Sequence, residues 1–279
     1  MKRSKPTALN ICIYTLLIIL ALLQIFPFYF TIIRSFQPES FFERATELKF
    51  LPESWNFENY PEAWRRARLG RGYLNSLFYV SVFTFISAMI AMMVGYVLAK
   101  KEFRGKNFVF LMFLSTLMVP YETLLIPNFL MARDLYLTDK LAGLIIPGLV
   151  SIMGIFIAKQ FMETIPDSIV ESSVLDGAGE FQIFYKIIMP MSKPALATYC
   201  ILTFTDKWNE YIWPLIILNE PSKFPVQLSL LYFVDRHATG DYLATLQQAA
   251  IISTLLPVVI IYFIFQKKFV EGISITGLK

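Results

Sequence analysis

With 56% of its 279 residues hydrophobic and only 16% charged, the chain is too apolar for one or two soluble domains, and its apolar residues gather into six runs of about the 20 residues that a bilayer-spanning helix needs. The net charge of +4 comes from basic residues at the ends of those runs, which speaks of orientation and not of nucleic acid. Two cysteines without metal-ligand spacing, Cys12 and Cys200, and a single histidine, His237, leave no metal cluster, disulfide framework or Ser/His catalytic arrangement to assemble.

The chain opens on a basic leader, Met1-Lys2-Arg3-Ser4-Lys5-Pro6, ahead of a first apolar run over residues 9–33. That run is longer than the roughly 7–15 residues of a cleaved signal, so it reads as a retained span, kinked at Pro27. Residues 34–72 are polar and mixed in charge, long enough for a small outward lobe with interfacial aromatics. The second span covers residues 73–99. After it, Lys100, Lys101, Arg104 and Lys106 fall in one short loop and mark the cytoplasmic side.

The third span, residues 107–131, holds Pro120, Glu122 and Pro127, which predicts a bent or broken helix whose freed carbonyls face protein or a wet cavity. A short outward connection over residues 131–140 leads to the fourth span, residues 141–162, where Pro147-Gly148 and Gly154 allow a kink or close packing.

Residues 165–190, IPDSIVESSVLDGAGEFQIFYKIIMP, are the polar-faced stretch on which the functional reading turns. Pro166 ends the preceding span, and Ser168 with Glu171 has the form of a capping box. Gly177-Ala178-Gly179 supplies a residue free to take positive φ and stop that helix. A second helix carries Phe181, Phe184, Tyr185 and Ile188 as one apolar stripe, and Pro190 ends it. The expectation is two short amphipathic helices lying on a membrane surface, with Glu171, Asp176 and Glu180 turned outward.

That spacing resembles the integral membrane subunits of binding-protein-dependent ATP-binding-cassette importers. They carry E-A-A, three residues, Gly, nine residues and I-x-L-P in a cytoplasmic loop. Here Glu171-Ser172-Ser173, Gly177 and Ile187-Ile188-Met189-Pro190 stand at those positions; Ser172 and Ser173 replace the two alanines and Met189 the leucine. The plain alternative is an interfacial connector. The resemblance implies that Glu171, Ser172, Ser173, Asp176, Gly177, Ala178, Ile187 and Pro190 form the coupling element to a cytoplasmic ATPase. In the first outward loop, Pro52 followed seven residues later by Asn59-Tyr60 is similar to a pattern of the same family.

The fifth span, residues 193–218, is the least hydrophobic and places Asp206, Lys207, Asn209 and Glu210 near its middle, where charge is costly and rarely faces lipid. Asp206, Asn209 and Trp213 share one helical face at spacings of three and four, with Lys207 and Tyr211 toward a neighbouring one. Two readings stand side by side: a lining of the translocation path, to which Glu122 of the third span and Trp208, Glu210 and Tyr211 also belong, or a structural ion pair of Lys207 with a carboxylate. Aromatic rings at 208, 211 and 213 suit stacking on a sugar and suit packing equally. Trp208-Asn209-Glu210-Tyr211-Ile212-Trp213-Pro214-Leu215 resembles the W-N-x-[FY]-x-x-P-L pattern of carbohydrate-importer permeases.

Residues 219–244 form an outward loop with Pro221, Pro225 and His237. By resemblance it is a docking site for a solute-binding protein, the alternative being a cover over the pore mouth. The sixth span, residues 245–266, contains Pro257. Lys267-Lys268 returns the chain to the cytoplasm, and the tail 269–279 is similar to the family's G-x-x-x-G ending, which approaches the ATPase dimer. Inner segments, counted with Lys159 and Lys193 at the inner ends of their spans, hold 13 Lys and Arg against 4 in the short outer loops, which puts both termini in the cytoplasm.

The sequence therefore predicts an all-α polytopic membrane protein with six transmembrane helices, with residues 1–8 cytoplasmic and a permease domain over 9–268. The resemblance implies a type I importer permease of a bacterial or archaeal cell membrane, similar to maltose-transporter subunits. It would be paired with a second permease subunit, a cytoplasmic ATPase dimer and an external solute-binding protein. No Gly-rich phosphate loop occurs, so the chain binds no cofactor and performs no covalent chemistry, ATP and Mg²⁺ belonging to the ATPase. Two rivals are carried forward: a permease for glycerol phosphate or another small polar solute, and an ion-coupled secondary transporter using Asp206, Lys207 and Glu210.

Overall fold

The computed structural model describes residues 8–38, 50–52, 54–237 and 243–277, with side chains described over 10–38 and as far as Ile264. The basic leader, residues 39–49 and 53 of the first outward loop, and the side chains of His237 and of the tail lie outside that set. Within it, no strand occurs.

Three helices are each long and apolar enough to cross a membrane: α1 (Ala8–Ser35), α3 (Leu69–Lys100) and the first 21 residues of α13 (Ala244–Gly277). Three further candidates are bent pairs, and counting each as one span gives the six expected. α4 (Lys106–Thr116) turns by 99° into α5 (Tyr121–Asp134). α6 (Ala142–Gly148), whose last residues are a 3₁₀ turn, turns by 51° into α7 (Ile152–Glu163). After the short helix α8 (Asp167–Leu175), α9 (Glu180–Met191) turns by 76° into α10 (Lys193–Asn209). α2 (Asn59–Arg66), α11 (Ile212–Ile217) and α12 (Val226–His237) complete the set.

The prolines account for some of these breaks and not for others. Pro120 stands at the break between α4 and α5 with ψ 134°, because its ring excludes a continuing helix at the residue before it. Pro27, Pro127 and Pro257 lie inside uninterrupted helices instead. The second span begins four residues earlier than expected, at Leu69, and the loop before it contains the helix α2. Likewise α12 stands within what reads as a loop over 219–244, and α13 carries helical backbone through the expected tail to Gly277.

The chain divides into two compact units, Met1–Leu69 with Leu230–Leu256, and Gly70–Ser229 with Pro257–Lys279. In the first, α1 is apolar on all sides, and only 6% of its best 18-residue window is buried in the protein; such a helix needs lipid or another subunit around it. Asn59 fastens the end of α1, its amide donating to the carbonyls of Ser35 and Gln37 at 2.8 and 2.9 Å, while Tyr60 Oη meets Ser35 Oγ at 2.8 Å. The Asn-Tyr pair of the family-like pattern thus closes the turn after the first span.

In the second unit, α3, α7 and α10 pack through small residues. A Cβ on Gly154 would sit 2.6 Å from the Tyr199 ring and 2.9 Å from Ala91, and one on Gly95 would sit 2.5 Å from Ala158 Cβ. This is the close approach expected at Gly154. Tyr199 Oη and Ser87 Oγ, both buried, share a hydrogen bond of 2.6 Å across the same contact.

Candidate functional site

The hairpin over residues 165–190 is two helices on a buried base. α8 starts one residue before the expected capping box, at Asp167, with Pro166 as its N-cap at ψ 135° and no side-chain cap bond. Pro166 fixes the entry and Asp167 supplies the first-turn acid, so Ser168 and Glu171 are not needed as a box. At the other end the helix stops as the glycine predicts: Gly177 has φ +80°, its N–H donates to the Val174 carbonyl and that of Ala178 to the Ser173 carbonyl, both at 3.0 Å. These two bonds are the Schellman pair that a left-handed residue makes possible. The serines in place of alanines turn their hydroxyls back on their own helix, Ser172 Oγ and Ser173 Oγ donating to the Ile169 carbonyl at 3.1 and 2.6 Å. They therefore satisfy themselves and occupy little more room than alanine.

α9 departs from expectation in register. A π-turn over Phe184–Ile188 inserts one residue into the helical repeat, so the buried set is Ile183, Phe184 and Ile188, while Phe181 and Tyr185 are exposed. Pro190 does not end the helix, which continues to Met191; the wider turn relieves the clash that the proline ring would make one turn back. The buried residues join Met92, Tyr96, Ala158, Met162, Ile165 and Val170 in one cluster. The apolar side of the hairpin accordingly rests on α3 and α7 and not on a lipid surface.

Polar contacts clamp this base. Lys100 Nζ, at the end of α3, donates to Asp167 Oδ1 at 2.6 Å and also to the Ile165 carbonyl. Lys101 Nζ reaches Glu180 Oε1, and Tyr96 Oη donates to Glu180 Oε2 at 3.1 Å. The Lys101 ammonium holds the Glu180 carboxyl below its ordinary range, against a smaller opposing effect of burial. Above the clamp the tip is open. Glu171, Ser172, Asp176 and Gly177 are exposed, Leu175 is 87% and Phe181 77% exposed, Ala178 and Ile187 are half-buried, and Ser173 is buried. Sequence reasoning missed Leu175 as the exposed apolar residue of the tip, the signal being its position just before the glycine turn, and Phe181 as the lining of a groove with Met93, Tyr96 and Val97 of α3.

The second place of interest is where α10 gives way to α11. The helix expected to continue breaks at Glu210, whose ψ is 129°. Pro214 is the cause: in an unbroken helix its ring would strike the Glu210 carbonyl, whereas a restart at Ile212 puts it in the first turn, where proline is tolerated. The break undoes the common face of Asp206, Asn209 and Trp213. A cleft of about 450 Å³ opens there, lined by Tyr121, Thr205, Asp206, Asn209, Glu210 and Tyr211 among others. Lys207 pairs with Glu210 at 2.9 Å and stands 3.8 Å from Asp206, so the ion pair and the lining exist together.

The other expected lining residues go elsewhere. Trp208 is buried, stacked on Phe204 and edge-on to Tyr73, and Trp213 is buried with its Nε1 donating to the Gly143 carbonyl at 3.0 Å. Both are packing residues in this structure. Glu122 lies in the first turn of α5, next to Tyr121, and is exposed without lining the cleft. Cys12 and Cys200 are free thiols, the first exposed and the second half-buried. Among the described residues no group of three or more His, Cys, Asp and Glu comes together to hold a metal ion.

Residues 71–275 match the family described as binding-protein-dependent transport system inner membrane component. A relative in Bacillus subtilis, the arabinooligosaccharides transport system permease protein AraQ, is 31% identical over 93% of this chain and 92% of its own length. The sn-glycerol-3-phosphate transport system permease protein UgpE of Yersinia pestis is 28% identical over 95% of this chain and 96% of its own. Among solved structures, a bacterial ABC transporter involved in import of the acidic polysaccharide alginate superposes with a TM-score of 0.82 at 28% identity, covering 94% of this chain and 96% of that one.

Proposed function

From the premise that the chain belongs to the binding-protein-dependent transport system inner membrane components, we propose that it is a permease for sugars or oligosaccharides whose hairpin over residues 165–190 transmits the work of ATP. Family membership makes it a membrane-embedded transport subunit of an importer, served by an ATPase and a solute-binding protein; it is not an enzyme. Pairing with a second permease subunit, and the cytoplasmic placing of both termini, are part of the proposal.

The observation that carries it is the contrast within the hairpin. Its base is locked to α3 and α7 by the buried cluster and the Lys100 and Lys101 contacts, while its tip offers the exposed Leu175 next to Asp176, with Glu171 exposed one turn before. A rigid element with an apolar knob and a charged rim suits a groove on a partner. When the ATPase dimer closes, such an element carries the displacement to the spans without absorbing it. Gly177 sets the turn that points the knob, and Ser172, Ser173, Ala178, Ile187 and Pro190 shape the helices around it. The ATP and Mg²⁺ that drive the step are held by the ATPase.

The sugar assignment draws on the relative named for arabinooligosaccharides and on the cleft, where hydroxyl-binding carboxylates and an amide stand beside two tyrosine rings. Asp206, Asn209, Glu210 and Tyr211 are the residues proposed to line the path. A second reading, transport of glycerol phosphate, is favoured by the UgpE relative alone; one lysine against two carboxylates argues the other way. Ion-coupled transport has no support from the family. The test is ATP hydrolysis and uptake by the assembled transporter in proteoliposomes with a solute-loaded binding protein. Stimulated hydrolysis with uptake of a neutral labelled oligosaccharide supports the proposal, uptake of glycerol phosphate alone moves it to the second reading, and no ATPase association with gradient-driven uptake overturns it.

A further inference from the structure

We propose that the cleft at the break between α10 and α11 selects against anionic solutes, and that the group responsible is the Asp206 carboxylate. The inference rests on the reading of this cleft as the translocation path and adds the charge class of what passes through it.

The two carboxylates of the lining are placed differently. Glu210 is held: its side chain is 13% exposed, Lys207 lies 2.9 Å away, and the hydroxyls of Tyr121 and Tyr79 stand 3.4 and 3.5 Å from its oxygens. Lys207 is held with it, 16% exposed and 5.0 Å from the centre of the Phe83 ring. Asp206 is 76% exposed and only 3.8 Å, at best, from the same ammonium. One lysine shared by two carboxylates leaves a single negative charge, and geometry assigns that charge to the carboxylate that faces the opening.

The remaining lining suits a neutral polyhydroxylated ring. Asn209 Nδ2 donates to the Thr205 carbonyl at 2.9 Å, and its Oδ1 accepts from Gln227 Nε2 at 3.5 Å, a long bond that leaves the amide oxygen a second lone pair for another donor; Tyr121 and Tyr211 are each 45% exposed. Carboxylate and amide oxygens accept from sugar hydroxyls, and the tyrosines offer apolar faces to the ring. A phosphate or uronate group entering the same space meets an uncompensated like charge, which lowers its occupancy about fivefold at 4 Å in water and further between low-dielectric walls.

The sign of the local charge is measurable without knowing the solute. Leu202 lines the cleft one helical turn before Asp206, so Leu202→Cys places a reporter thiol beside it. The assembled transporter in detergent is reacted with methanethiosulfonates bearing a trimethylammonium or a sulfonate group, and peptide mass spectrometry separates position 202 from Cys12 and Cys200. The expected result is a cation-to-anion rate ratio about tenfold above that of 2-mercaptoethanol, falling to the free-thiol ratio when Asp206→Asn is added. A ratio equal to the free thiol's, or one unchanged by Asp206→Asn, overturns the proposal. If Leu202→Cys does not assemble, Thr205→Cys reports from the same lining with the same two outcomes. A charge ratio that falls in Asp206→Asn while uptake discriminates neutral from anionic solutes as before leaves the charge assignment standing but overturns the selection, and with it the reading of this cleft as the path.

Discussion

Lys100 Nζ and Asp167 Oδ1 lie 2.6 Å apart, but the lysine side chain is 2% exposed and the aspartate 75%. The pair is lopsided: Lys100 also donates to the Ile165 carbonyl, so the lysine joins α3, the end of α7 and the start of α8, whereas the aspartate has water as a substitute partner. Lys100→Met should therefore destabilise the protein by about 1–3 kcal/mol through unpaired polar groups at the base, and Asp167→Asn by less than about 1 kcal/mol. Thermal melting of the purified transporter checks this; equal losses for the two would mean that the ion pair alone matters.

At Gly177 the backbone, not the space, limits substitution, since φ is +80° and a Cβ would meet nothing within 4 Å. Gly177→Val should cost about 1–2 kcal/mol of local strain and misdirect the tip, lowering solute-stimulated ATP hydrolysis severalfold. Gly177→Asn, a residue that tolerates the left-handed region, should retain most of it. Equal loss in both would point to side-chain crowding by a partner instead of backbone conformation.

The two tryptophans of the W-N-x-Y-x-W stretch act through packing. Trp208→Ala should cost about 3–5 kcal/mol, as for a large buried side chain, and Trp213→Phe about 1 kcal/mol for the lost bond to the Gly143 carbonyl. Melting temperature and yield are the readout, and the folded fraction of Trp213→Phe should transport with unchanged apparent affinity. A raised KM in that variant would return Trp213 to the solute path.

Asp139 ties two loops of the second unit: Oδ1 accepts from the N–H groups of Asn219 and Glu220 at 3.1 Å, and Oδ2 pairs with Lys223 at 2.7 Å. The Lys223 ammonium first, and then the two N–H groups, hold its carboxyl below the ordinary 3.8. A lowered folded value means that the stabilisation is fully present above pH 3.8 and fades as pH falls through the folded value. The melting-temperature difference between wild type and Asp139→Asn should be constant near neutrality and shrink below pH 3.8. A difference that persists at lower pH would show that the carboxylate charge is not its source.

The sequence was most legible where a single residue type dictates backbone geometry. Gly177 and Pro120 act locally, and each forces the conformation that its chemistry predicts. The capping box failed because Ser168 and Glu171 compete with Pro166, two residues before Ser168, and the structure prefers the proline entry. The stripe on α9 failed because a period of 3.6 residues cannot foresee a π-turn; Tyr185, inside that turn, is exposed, as is Phe181 in the turn before it. The break at Glu210 was encoded four residues downstream in Pro214, a signal that is easily passed over because the proline itself sits inside a helix. Tertiary clamps such as Lys100 on Asp167, 67 residues apart, have no local signature at all.

The coupling role of the hairpin is tested most directly by whether the ATPase stays attached when the tip is altered and the base is not. Leu175 is 87% exposed, so Leu175→Asp carries little folding cost. The measurement is co-purification of the ATPase with the permease from membranes, together with its hydrolysis rate in the presence of solute-loaded binding protein. The account predicts that Leu175→Asp permease is made and melts normally while the attached ATPase, or its stimulation, falls at least tenfold. Full attachment and full stimulation in that variant would contradict the claim that this hairpin carries the work of ATP to the spans.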